Sequence, residues 1–237
     1  DYSAYGIKAN NKTTIVVDSN KTNPGKNGTI TIKAKTLWSP SGDSGSKYTA
    51  AHGIAVGNFS QRFNKKVSED LVKTTINADV VIEELRGGSI KTTGISSMDC
   101  SDLAINGRFT IKPGAISLMQ WNRGDQSKTY GIYMIGSNNT ISITSADIDD
   151  SKNGSLSDLI KTDESLWGGK TEKNVLRIGG GTLKVKENQK ERYLISAAKG
   201  FRTFINVNQD GSAIGTSKAD LQGTIRMDAG SEAYVGL

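Results

Sequence analysis

Ser44 and His52 are the residues whose types and spacing first suggest chemistry. A serine becomes a nucleophile when a histidine accepts its proton and a buried carboxylate orients that histidine. Ser44 stands in the string Gly42-Asp43-Ser44-Gly45, eight residues (52 − 44) before His52, which is the single histidine of the chain. The surrounding stretch 39–46 consists of serine, glycine, proline and one aspartate, a composition typical of a flexible loop.

His52 also fits a repeat. An aromatic residue or histidine followed by Gly-Ile occurs at Tyr5, His52 and Tyr130. The strings at Ser44 and His52 resemble the nucleophile and general-base segments of chymotrypsin-like serine proteases, but in that family the histidine segment comes first. We therefore interpret residues 41–53 as a loop followed by a repeat unit, and not as a protease site.

Arg123-Gly124-Asp125, close to Trp121, is a candidate receptor-binding motif. A guanidinium and a carboxylate separated by a flexible glycine can each bind a charged or metal-bearing partner, and integrins recognise this tripeptide at a loop tip. The alternative is a polar turn between two strands. Trp121, Arg123, Gly124 and Asp125 are accordingly the predicted binding residues.

The acidic string at residues 147–154 raises the question of calcium. With Asp149 as the first ligand of a calcium loop, Ser151 and Asn153 fall at suitable positions. The twelfth position, however, is Ile160, where a bidentate carboxylate is required. We expect a turn followed by a helix start here, and neither a metal site nor a cofactor.

Cleavage of acidic polysaccharides is the main alternative function, because β-helices also host lyases and glycoside hydrolases. That chemistry needs paired carboxylates, or calcium with a basic residue that abstracts a proton, on adjacent strands of one face. Four carboxylates are candidates: Asp99, Asp102, Asp147 and Asp149. Three tryptophans are candidate glycan platforms or, alternatively, packed rings at loop bases: Trp38, Trp121 and Trp167.

The composition predicts strands and turns. Of 237 residues, 27 are glycine and 3 are proline, while hydrophobic residues make up 35% and aromatic residues 6%. The net charge of +6 comes from interspersed basic and acidic residues, without the basic stripe and stacking aromatics of a nucleic-acid groove.

Cys100, the single cysteine, allows no internal disulfide, and no apolar run is long enough for a membrane span. The first residues are not a signal peptide, so we expect a processed piece of a longer protein.

Repeats suggest a solenoid. The Tyr5, His52 and Tyr130 units are offset by 47 (52 − 5) and 78 (130 − 52) residues, which we interpret as two and three multiples of a turn of roughly 20 to 26 residues. A second unit, glycine followed by serine or threonine and an aliphatic residue, begins at Gly28, Gly88, Gly181 and Gly223. Strict alternation in residues 29–33, 140–144 and 182–186 predicts half-buried strands.

These patterns favour an all-β right-handed parallel β-helix with loop and short helical insertions. Apolar spacing predicts short surface helices in Asn64 to Val72 and Ser155 to Leu166. The alternative, an antiparallel sandwich, is disfavoured because hairpin signals are scarce. We predict one β-helix segment over residues 1–237, with insertions around 38–48, 61–73 and 150–170, that ends within the solenoid.

The aromatic-Gly-Ile units, together with residues 137–144 and 180–185, resemble the passenger domains of bacterial autotransporters, the type V secreted β-helical adhesins. The likeness covers most of the chain. It implies a β-helical stalk on the outer surface of a Gram-negative bacterium, exported by a C-terminal membrane barrel. The single cysteine agrees with passage of an unfolded chain through a narrow pore.

The predicted function is therefore adhesion, without catalysis. The expected partners are a host-cell receptor or glycan, a partner cell, or a second copy of the chain in self-aggregation and biofilm. Repeated contacts along a rigid stack would supply avidity. The best candidate contact surfaces are the loop from Trp38 to Tyr48, the two predicted helical insertions and the turn from Trp121 to Gln126.

Overall fold

The computed structural model describes residues 3–10, 13–18, 28–36, 50–58, 70–87, 91–118, 128–164, 173–186, 192–215 and 218–237. In these ranges the chain forms strands and turns, and no helix. The strands are β1 (Ala4–Ala9), β2 (Thr14–Asp18), β3 (Thr29–Lys35), β4 (Ala51–Gly57), β5 (Val72–Asn77), β6 (Asp79–Gly87), β7 (Lys91–Met98), β8 (Ser101–Ile111), β9 (Ile116–Leu118), β10 (Lys128–Ile135), β11 (Thr140–Asp149), β12 (Asp158–Asp163), β13 (Asn174–Ile178), β14 (Gly181–Lys184), β15 (Tyr193–Ala197), β16 (Phe201–Ile205), β17 (Ala219–Gln222), β18 (Ile225–Met227) and β19 (Glu232–Val235).

The strands form two parallel sheets. The first sheet has seven strands in the order β1-β4-β7-β10-β12-β15-β18. The second has twelve, with one row in the order β2-β5-β8-β11-β13-β16-β19. A further row of the second sheet contains β3, β6, β14 and β17, linked through the C-terminal halves of the long strands β8 and β11.

The chain visits these rows in a repeating cycle, and every pair of named strands is parallel. The antiparallel pairing within the described residues is the isolated bridge between Val207 and Ala213. The all-β parallel prediction is confirmed, and the antiparallel sandwich is wrong. Stacked parallel strands visited in this order are consistent with a β-helix or solenoid-like fold.

An isoleucine ladder forms the core behind the first sheet. Five isoleucines are paired in register on successive strands, and each is fully buried: Ile54, Ile95, Ile132, Ile160 and Ile195. β-Branched side chains favour strands, and burial of each contributes about 1.5–3 kcal/mol relative to exposure. The repeated isoleucine of the aromatic-Gly-Ile unit is thus a core position.

The glycine of that unit is required by close packing. A Cβ atom at Gly53 would lie 2.5 Å from Cδ1 of Ile82 and 2.6 Å from the carbonyl oxygen of Gly94. Any side chain there would separate the first sheet from the strands behind it. In the aromatic-Gly-Ile string, the ring therefore points away from the core, the glycine lets the neighbouring chains pack closely, and the isoleucine points into the core.

A buried polar ladder lies at the corner between the two sheets. Ser101, Asn139 and Asn174 are fully buried there, and each follows a residue in the left-handed region, with φ of 54°, 58° and 57° at the preceding residues. The Ser101 hydroxyl donates to Oδ1 of Asn139 at 2.8 Å, and Nδ2 of Asn139 donates to Oδ1 of Asn174 at 3.0 Å. The ladder thus joins the same corner of three successive cycles.

Two predictions about the chain's organisation are wrong. Tyr5 and His52 pair directly on β1 and β4, so the 47-residue offset is one step and not two. His52 pairs with Thr93, and Thr93 pairs with Tyr130 on the next strand. The 78-residue offset therefore spans two neighbouring-strand steps and not three. The steps are long because each cycle passes through two rows of the second sheet.

The predicted helix from Ser155 to Leu166 is also wrong. Strand β12 occupies Asp158–Asp163, and Leu159 and Ile160 both reach the core although they are consecutive. Ile160 pairs with Ile132, which places Leu159 beside Gly131 of the neighbouring strand. Two consecutive inward residues imitate helical spacing.

The other predicted helix, Asn64 to Val72, lies outside the described residues up to position 69, and Val72 begins β5.

Candidate functional site

The face of the first sheet that points away from the isoleucine ladder carries a row of polar and aromatic residues, of which Thr93 and Tyr130 are buried. Tyr5, His52, Thr93 and Tyr130 are in register on β1, β4, β7 and β10. The rings of Tyr5 and His52 stack with centroids 5.3 Å apart and planes at 20°. The prediction that His52 occupies a tyrosine position is confirmed. The intervening copy, Thr93-Gly94-Ile95, was missed because it has no ring.

His52 is placed as a neutral ring. Its Nδ1 lies 2.7 Å from the Thr93 hydroxyl. Burial, assisted by the charge of Lys8, lowers its pKa to about 4. A protease triad needs a carboxylate on the histidine, whereas the hydrogen-bond partner of His52 among the described residues is a hydroxyl. Ser44 lies outside the described residues.

A second cluster on the same face of the sheet surrounds Tyr133, which is also buried. Tyr130 and Tyr133 stack with centroids 5.2 Å apart and form, with Ile135, a small core separate from the main one. Nζ of Lys91 donates to the Tyr133 hydroxyl at 2.6 Å, and this hydroxyl donates to Oδ2 of Asp163 at 2.9 Å. The cluster ties together three neighbouring strands, β7, β10 and β12.

The electrostatics of this cluster favour structure over proton transfer. Burial and the nearby Asp163 carboxylate raise the pKa of Tyr133, which keeps the phenol protonated. Burial opposes ionisation of Asp163, but the hydrogen bond from Lys161 and the charges of Lys161 and Lys91 hold its pKa below the ordinary value. At neutral pH Tyr133 is therefore a hydrogen-bond donor to a carboxylate and cannot act as a general base.

The four candidate carboxylates do not meet at one place: Asp99 and Asp102 lie beside the first residues of β8, whereas Asp147 and Asp149 lie at the far end of β11. Asp102 pairs with Thr140 at one end of β11, whereas Asp147 lies seven residues further along that strand, about 23 Å away at the usual rise per residue. Asp147 forms an ion pair with Arg108 at 3.3 Å. At the Asp102 end, Oδ1 of Asp99 accepts the backbone N–H of Ser137 at 2.8 Å.

Asp149 does not have the properties of a general acid. Its Oδ1 accepts the hydroxyl of Ser151 at 2.5 Å and the backbone N–H of the same residue at 3.0 Å. These bonds, the hydroxyl foremost, lower the pKa of Asp149, whereas a general acid needs a raised one. Asp149 is the first residue of a turn, as the sequence predicted.

The carboxylate of the neighbouring Asp150 accepts hydrogen bonds from the loop that follows it. It accepts the backbone N–H groups of Ser155 at 2.9 Å and Leu156 at 2.7 Å. Across the described residues no group of three or more His, Cys, Asp or Glu side chains could hold a metal ion. The acidic string therefore closes the turn between β11 and β12.

A cleft on the β3–β6 row, which we call the charged cleft, is lined mainly by charged side chains. It has a volume of about 310 Å³ and is lined by Lys33, Glu83, Glu84, Arg86, Lys112 and Ser117, among others. Glu83 forms ion pairs with both Lys33, at 2.9 Å, and Lys112. Sequence reasoning missed this cleft because its residues lie up to 84 positions apart (117 − 33) and meet only through strand stacking.

Glu84, which also lines the charged cleft, forms two further ion pairs. Glu84 contacts Nζ of Lys35 at 2.9 Å and Nε of Arg86 at 2.8 Å. The hydrogen bonds from Lys112 and Lys33 lower the pKa of Glu83 to about 2, and the one from Lys35 lowers the pKa of Glu84. Both carboxylates are therefore ionised at neutral pH, and each is shared by two cations.

The predicted binding residues Trp121, Arg123, Gly124 and Asp125 lie outside the described residues, as do Trp38 and Trp167. The integrin and tryptophan hypotheses therefore stay predictions. No helix in the described ranges has the length and apolar character needed to cross a membrane.

Comparison with known proteins gives no relative. No family model, no curated protein and no solved structure matches the chain.

Proposed function

We propose that the chain is a right-handed parallel β-helix that acts as a binding segment of a bacterial surface adhesin of the autotransporter passenger type. It attaches the cell to a host surface, to partner cells or to further copies of itself. The observation that carries the proposal is the continuous stacking of parallel strands, seven deep in the first sheet. Crossovers between parallel strands of one sheet are almost always right-handed, which supports that hand for the helix.

A stack of this kind supports display. Each cycle contacts its neighbours through the isoleucine ladder inside, and the charged row of Lys33, Glu83 and Lys112 crosses successive strands outside. Because this row continues from strand to strand, a repetitive partner such as a glycan or an identical stack can make many weak contacts at once. Avidity then supplies binding without a deep pocket.

The described side chains also favour binding over catalysis. Asp147 is paired with Arg108, Asp99 and Asp149 accept turn N–H groups, and His52 is neutral and bonded to Thr93. The placement on a Gram-negative outer surface rests on the resemblance of the repeat units to autotransporter passengers.

Display on a non-adherent bacterium tests the proposal. The chain is fused to a neutral surface anchor, and clumping and attachment to cultured cells are counted against cells that display the anchor alone. We expect a gain in clumping, in attachment or in both. Equal counts for the two strains, with surface exposure verified by antibody, would contradict the proposal.

A further inference from the structure

The charged cleft has its cations at the rim and its carboxylates deeper. The side chains of Lys33, Lys112 and Arg86 are 62%, 53% and 54% exposed, whereas those of Glu83 and Glu84 are each 26% exposed. A ligand that approaches from solvent therefore meets ammonium and guanidinium groups first. The exposed layer of the cleft is cationic although acidic residues hold it in place.

The charges of this cleft do not balance. Three cations, Lys33, Arg86 and Lys112, line it beside two carboxylates, which leaves one positive charge, and Lys35, which pairs with Glu84 but does not line the cleft, adds a second. Arg86 contacts Glu84 through its Nε at 2.8 Å, and its side chain is 54% exposed. An exposed guanidinium is suited to a sulfate or carboxylate group.

The volume of the cleft is that of a small-ligand site. Its volume of about 310 Å³ is at the lower end of small-ligand sites, which span roughly 300–1,000 Å³. The described lining contains no aromatic ring. Stacking on sugar faces or nucleobases is therefore absent, and charge must supply the recognition.

We infer that the charged cleft binds acidic polysaccharide through its sulfate or carboxylate groups. The inference rests on the proposed role of the chain as a binding segment and names the ligand class of one of its surfaces. Glu83 is a positioning residue here, because it holds Lys33 and Lys112 from two different parts of the stack at one place.

Titration with labelled polymers tests the inference. The purified chain is titrated with heparin, with polygalacturonate, with neutral dextran and with duplex DNA, each at low and moderate salt. We expect binding of heparin or polygalacturonate that weakens with salt, and at least about tenfold weaker binding of dextran and DNA. Stronger binding of heparin than of polygalacturonate would assign sulfate, and equal binding would assign the shared negative charge.

Charge variants locate the binding. The double variant Lys33→Gln/Lys112→Gln should weaken heparin binding at least about tenfold, and Lys33→Arg/Lys112→Arg should retain it. The matched control Lys184→Gln/Arg202→Gln removes the same charge from two other ion pairs, with Asp220 and Glu232, and should stay within about twofold of the parent. Circular dichroism and the melting temperature verify that all variants fold.

Several results would overturn the inference: unchanged heparin binding by Lys33→Gln/Lys112→Gln, equal weakening by the control variant, or DNA binding as tight as heparin binding. If displayed chain mediates attachment but the purified chain binds no acidic polysaccharide, the inference fails and the proposed function stands. If the cleft variant loses heparin binding but still mediates attachment, the inference holds and attachment uses another surface.

Discussion

Replacing Asn139 with alanine should destabilise the chain by about 3 kcal/mol. The fully buried Asn139 amide donates to Ile135 O at 2.9 Å and to Oδ1 of Asn174 at 3.0 Å, and it accepts from Ser101 at 2.8 Å. Each hydrogen bond is worth about 1 kcal/mol net, and the partners left unsatisfied in a buried corner add to the loss. Asn139→Asp keeps the size but replaces a donor by an acceptor, so it should be more damaging than alanine at pH 7.

Urea unfolding followed by circular dichroism measures these changes as differences in the free energy of unfolding. The matched control is Asn106→Ala, since exposed Asn106 makes one side-chain hydrogen bond, to Asn77 at 2.7 Å. The control should cost less than about 0.5 kcal/mol. An Asn139→Ala variant within about 0.5 kcal/mol of the parent would refute the reasoning, because the buried ladder would then contribute nothing to stacking of the cycles.

Three further changes test other parts of the molecule. Burial raises the pKa of Asp158 from 3.8 to about 6, so the folded chain keeps a proton that the unfolded chain loses, and the stability from this group falls as pH rises from about 4 to about 6. Asp158→Asn should therefore raise the free energy of unfolding at pH 7.5 by up to about 2–3 kcal/mol and flatten its pH dependence in that window, whereas an unchanged pH profile would contradict this. His52→Tyr should fold with stability within about 1 kcal/mol of the parent and retain attachment, because tyrosine occupies the same row at Tyr5 and Tyr130; loss of attachment by a folded variant would show a role for the imidazole. Gly57→Ala should lower the melting temperature by several degrees, because φ is 129° and the new Cβ would lie 1.7 Å from the Met98 carbonyl oxygen; an unchanged melting temperature would contradict that packing.

Local alternation and the aromatic-Gly-Ile string were sufficient to predict parallel strands, the inward isoleucines and the equivalence of His52 with tyrosine. These features are local because one strand carries both the ring and the core residue. The number of residues per cycle was not predictable from three copies, since Thr93 hides the intervening copy. Consecutive core residues Leu159 and Ile160 produced a false helical spacing.

The charged cleft was beyond sequence reasoning for a different reason. Lys33, Glu83 and Lys112 look like isolated surface charges in alternating strands, and only the register between β3, β6 and β8 brings them together. The register between strands depends on the number of residues in every segment that connects the rows, and no local sequence pattern gives that number. Asp147 and Asp149, by contrast, are conspicuous in the sequence because turn residues cluster, and their carboxylates serve the turn and an ion pair.

The central claim, that the chain binds without catalysing, is tested most directly by one measurement. Cells that display the chain are incubated with a panel of polyuronides and glycosaminoglycans, and both cell attachment and the length of the recovered polysaccharide are measured. We predict a gain in attachment over cells that display the anchor alone, with polysaccharide length unchanged. Shortened polysaccharide that depends on Asp147 and Asp149, without a gain in attachment, would contradict the claim and favour a polysaccharide-degrading enzyme.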